Sequence, residues 1–141
     1  MDLPFRLVVS AVVVGITVPA VHGGLSAYET QQASVRAQQA IESIVRVAQV
    51  FYVAGGGAEE IRVDLAGGVT AKVEHVALGD RVGGPRAPSA AYKVTGQRET
   101  FLLSQPPVPM AGPDGPFRLG PGVHVVRVSY EGDGPVRLAL R

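Results

Sequence analysis

The sequence predicts an α+β fold: a long N-terminal helix, apolar first and amphipathic after, packed on a small antiparallel β domain. Three observations carry this. Leu7 to Tyr28 contains no Asp, Glu, Lys or Arg; Leu25 to Val53 repeats its apolar residues at helical spacing; and beyond Gly55-Gly56-Gly57 the spacing changes to alternation. The divisions that follow are 1–24 for an apolar membrane or filament-core helix, 25–54 for the amphipathic helix and 55–141 for the β domain.

The first element is built on Leu7-Val-Val-Ser-Ala-Val-Val-Val-Gly-Ile-Thr-Val18, which is almost wholly apolar. As a helix, ~22 residues reach about 33 Å, enough to cross a hydrocarbon core. The segment reads as a retained transmembrane anchor, N-terminus inside and bulk outside. The alternative is a secretory signal peptide cleaved near Ala20 or Gly23, with Arg6 as its short basic region. Pro19 with Gly23-Gly24 marks a kink or break, and Ser26 with Glu29 fits a capping box from which a second helix starts.

In that second element Leu25, Tyr28, Val35, Ile41, Ile44, Ala48 and Phe51 form the packing stripe, with Glu29, Gln32, Arg36, Gln39, Glu42, Arg46 and Gln49 among the remainder. The glycine triplet terminates the helix. No Lys-Ser/Thr follows it, so a phosphate-cradling loop is not indicated.

The β domain opens with Glu60 to Leu65, whose Ile61, Val63 and Leu65 share one face. Gly67-Gly68 reads as a hairpin into Val69–Val76, so these first two strands are expected to pair. Short strands are expected at Ala91–Val94 and Glu99–Leu103. Irregular stretches rich in Gly and Pro cover Leu78–Ser89 and Gln105–Gly122. The chain ends in a hairpin, Val123–Tyr130 and Val136–Leu140, turned by Glu131-Gly132-Asp133-Gly134. Six strands of this size make a meander or small sandwich.

Composition narrows function. In 141 residues there is room for one small domain after the apolar segment, and a net charge of +1 with scattered arginines gives no field for nucleic acid. The absence of cysteine removes disulfides and thiolate chemistry, and the absence of asparagine removes N-linked sugar. His22, His75 and His124 are far apart, with no HExxH spacing, so no metal site is indicated. His22 reads as an interfacial residue and His124 as an ordinary strand residue. No serine sits in a GxSxG elbow, and Glu59-Glu60 reads as a solvated turn. No catalytic residue, metal or cofactor is expected.

With its apolar helix (Leu7–Val21), amphipathic continuation (Leu25–Val53), Gly-rich exit and C-terminal β domain, the chain resembles archaeal type IV pilin-like proteins, the pilin and archaellin group. The resemblance implies a structural subunit of a surface filament. Its copies would bundle through Leu7, Val8, Ala11, Val12, Gly15 and Ile16, with β domains outside and no cofactor. The partner would be the chain itself, with the membrane as host before assembly and the cell surface as destination. A membrane-anchored accessory protein and a secreted β-domain binding protein are the alternatives.

Overall fold

A computed structural model describes residues 2–80, 84–85, 87–103 and 106–141; within its helix, side chains are described from Val21 onward except His22. The expectation for His22 therefore lies outside the described side chains, as do those for Leu7, Val8, Ala11, Val12, Gly15 and Ile16.

Helix α1 (Asp2–Ala54) runs unbroken for 53 residues. The expected break at Pro19 or Gly23-Gly24 is corrected. A proline or a glycine pair weakens a helix locally, but need not end it where the turns on both sides keep their own backbone bonds. Ser26 is accordingly no cap. Its carbonyl accepts a hydrogen bond from Thr30 Oγ1 at 2.8 Å inside the helix. The end falls at Gly55, whose φ of 84° is open to glycine, and both Gly55 N–H (2.9 Å) and Gly56 N–H (3.1 Å) donate to the Phe51 carbonyl.

Eight strands follow: β1 (Gly57–Leu65), β2 (Val73–Leu78), β3 (Ser89–Val94), β4 (Thr100–Leu103), β5 (Met110–Ala111), β6 (Phe117–Leu119), β7 (Gly122–Tyr130) and β8 (Val136–Leu140). They form two four-stranded sheets, ordered β1-β7-β8-β5 and β4-β3-β2-β6. All pairings are antiparallel except β5 with β8, where Met110 stands opposite Val136.

The expected β1–β2 hairpin is not formed. Nine unbroken register pairs, from Gly57 opposite Tyr130 to Leu65 opposite Gly122, join β1 to β7, while β2 lies between β3 and β6 in the other sheet. Residues 66–72 cross from one sheet to the other. Closing the long loop between β1 and β7 costs little more than closing a short one, because that entropy grows only with the logarithm of length.

One face of α1 fills the space against both sheets. Ala33, Ala37, Ala40, Ile41, Ile44 and Ala48 are buried there with Val63, Leu65, Val76, Leu78, Met110, Leu119, Val126, Val128 and Leu138. The small residues let the helix backbone approach the sheets closely, and Ile44 supplies the bulk between them. The fold is thus a long N-terminal helix packed against a small, mainly antiparallel β domain.

Candidate functional site

The described half of α1 has two apolar faces. At ~100° per residue, Val21, Leu25, Tyr28 and Val35 fall within about 80° of arc, with exposed Gln32 among them, on the side opposite the buried alanines and Ile44. These four face outward, at 63%, 45%, 61% and 39% exposure. Of the stripe expected from the sequence, the structure places Ile41, Ile44 and Ala48 in the core and Phe51 half-buried beside it, whereas Leu25, Tyr28 and Val35 stand on the outward face. The outward face continues the apolar run of Leu7 to Val18 along the same helix.

No helix among the described residues is long and apolar enough to cross a membrane. That finding overturns the expectation of a transmembrane helix and of a membrane-anchored localisation. Beyond Val21 the helix places Glu29, Arg36, Glu42 and Arg46 among its apolar residues, so that part of it offers no all-round apolar surface.

Two polar contacts tie the helix to the crossing between the sheets. The Glu29 carboxylate accepts from the backbone N–H groups of Val69 (3.2 Å), Thr70 and Ala71 (3.0 Å), and from the Thr70 hydroxyl. Two turns on, Arg36 Nη1 donates to the Ala66 carbonyl. Both ends of the sheet-to-sheet crossing are thereby tied to one helix. The Thr70 hydroxyl first, and then its N–H, hold the Glu29 carboxyl down at about 2, outweighing the opposing effect of desolvation. Gly68 makes room for this: a Cβ there would lie 2.5 Å from the Glu29 carboxyl carbon. Sequence reasoning assigned Glu29 to a cap. The usable signal was a glycine pair followed by a run of backbone donors, but which carboxylate meets them is settled only by the fold.

An open groove of about 390 Å³ lies between α1 and β3–β4, lined by Ile41, Val45, Ala90, Leu102, Leu103 and Met110, with Glu42 and Arg46 among its polar residues. On the far side of the helix a polar cleft of about 280 Å³ separates Arg36, Gln39 and Ser43 from Arg62 and Asp64 of the β1 region. His75 pairs with Glu99 at 3.1 Å, and the His124 ring nitrogen meets the Gly120 carbonyl at 2.8 Å. Among the described residues no three His, Asp or Glu side chains are gathered for a metal ion. Glu59 and Glu60 lie on β1 instead of in a turn, and Glu60 Oε2 accepts from Arg141 Nη1 at 2.9 Å.

No family model matches the chain, and neither the curated proteins nor the solved structures include a significant match. What fold and surface define is a class: an α+β domain that covers one face of a long helix and leaves a second apolar face outside.

Proposed function

We propose that the chain is a structural subunit of a type IV pilus-like surface filament, pilin-like in fold and allied to the archaeal pilins and archaellins. The observation that carries this is the outward stripe of Val21, Leu25, Tyr28 and Val35, continuous along α1 with the apolar Leu7–Val18 segment. An apolar strip of this length gains free energy when removed from water, and the protein's own β domain covers the opposite side of the helix. Neighbouring helices of the same chain can cover it. A repeated contact that does not close on itself generates a filament, with helices inside and β domains outside. The role requires no cofactor and no nucleic acid, and its partner is the chain itself.

The test is electron microscopy of filaments recovered from cells producing either the natural chain or the variant Leu25→Lys with Tyr28→Lys. The expected outcome is filaments from the natural chain and none from the variant, whose circular dichroism and thermal midpoint stay unchanged. Filaments of normal number from the double variant, or no filament containing the natural chain, overturn the reading.

A further inference from the structure

We propose that β1 is a docking edge for β1 of a second copy, paired antiparallel across a two-fold axis at Ile61 so that the two sheets join into one of eight strands. β1 is the edge of its sheet, and its pairing with β7 runs nine residues without a bulge. The other edge strands β4, β5 and β6 have four, two and three residues. A long edge with no bulge and no proline presents a row of backbone donors and acceptors that another strand can complete. Along its second half, β1 is separated from Arg36, Gln39 and Ser43 of the helix by an open cleft.

Charge selects the occupant and the register. Glu60, Arg62 and Asp64 alternate in sign on the face of β1 turned away from Val63 and Leu65. A two-fold axis perpendicular to the sheet keeps each residue opposite one on its own face. Centred on Ile61, the axis matches Gly57–Leu65 over its full length and sets Glu60 opposite the partner's Arg62, twice by symmetry. Centred on Glu60 or Arg62, it sets like charges against each other. Centred on Val63, it pairs Arg62 with Asp64 but overlaps only Ile61 to Leu65, and Asp64 Oδ1 already accepts from Ala66 N–H at 2.8 Å. Glu60 uses Oε2 for Arg141, which leaves Oε1 for the partner, and Arg62 has no ion-pair partner among the described residues. The edge is therefore complementary to itself in one register. This contact uses none of the helix stripe, so it stands or falls apart from the filament reading.

The chain contains no cysteine, which makes crosslinking direct. Full-length Glu60→Cys and Arg62→Cys variants, each also carrying Leu25→Lys and Tyr28→Lys to remove association through the helix, are oxidised separately and as a mixture. In this register a disulfide dimer forms in the mixture, where the two positions stand opposite each other. It does not form in either variant alone, where like positions are about 8 Å apart, beyond disulfide reach. In sedimentation equilibrium, Arg62→Glu weakens the dimer about tenfold, and Glu60→Arg with Arg62→Glu restores it. A chain that sediments as a monomer at all concentrations, crosslinks of equal yield in the single variants, or an edge occupied by a different polypeptide in material from producing cells overturns the proposal.

Discussion

Glu29 joins helix to loop through one carboxylate and four donors, and its behaviour with pH follows from that geometry. Its pKa falls from an ordinary 4.5 to about 2 in the folded chain, so folding favours the ionised form. The stabilisation is complete above pH 4.5 and is lost as pH falls from there through 2. Glu29→Gln removes it at every pH. The expected result is a lower thermal midpoint than the natural chain at pH 7 and a difference that shrinks steadily below pH 4.5, read by circular dichroism melts across pH 2 to 7. The same clasp explains why a glycine stands at 68. Gly68→Ala places a methyl group against the carboxyl, so it lowers the pH 7 midpoint in the natural background and much less in Glu29→Gln. Double-variant melts measure that non-additivity.

Elements differ in how plainly the sequence announces them. The helix was legible because its apolar residues recur near 3.6 over many turns, and the terminal hairpin because two alternating runs flank Glu131-Gly132-Asp133-Gly134. Periodicity could not tell which side of α1 each apolar residue serves. Leu25, Tyr28 and Val35 lie on one face and Ile41, Ile44 and Ala48 on another, yet in sequence they merge into a single stripe. Strands β5 and β6, of two and three residues, are too short to show alternation, and Pro113 and Pro116 between them read as loop. The partner of β1 was hidden because pairing is decided by register and burial over the whole domain, while Gly67-Gly68 is a local signal whose use here is close approach, of Gly67 to Lys72 and of Gly68 to Glu29. Where the helix meets both sheets the fit is set by small residues. Ala37, with no exposed surface, has no room for a larger side chain, so Ala37→Leu is expected to destabilise by about 1–3 kcal/mol in urea unfolding, with Gln31→Leu at an exposed position of the same helix as the control.

At the scale of the molecule, the core and the proposed filament contact lie on opposite sides of one helix. The buried side closes the core between the two sheets, and Ile44 is its largest fully enclosed helical side chain. Ile44→Ala removes apolar contacts and leaves a cavity that two sheets and a helix cannot all relax to fill. A loss of about 2–5 kcal/mol is expected. The outward side behaves otherwise: Val35, exposed to water in the isolated chain, contributes little to folding, so Val35→Lys is expected to shift stability by less than about 0.5 kcal/mol. If copies associate through that face, the ranking reverses when assembly is measured. Val35→Lys abolishes association through that face in a chain that remains fully folded. Ile44→Ala leaves association intact at temperatures where the chain is still folded. Urea unfolding of each variant, followed by sedimentation of the folded material, separates the two contributions. Equal effects of both variants on association mean that the outward stripe is ordinary surface and that the molecule has one functional face on its helix instead of two.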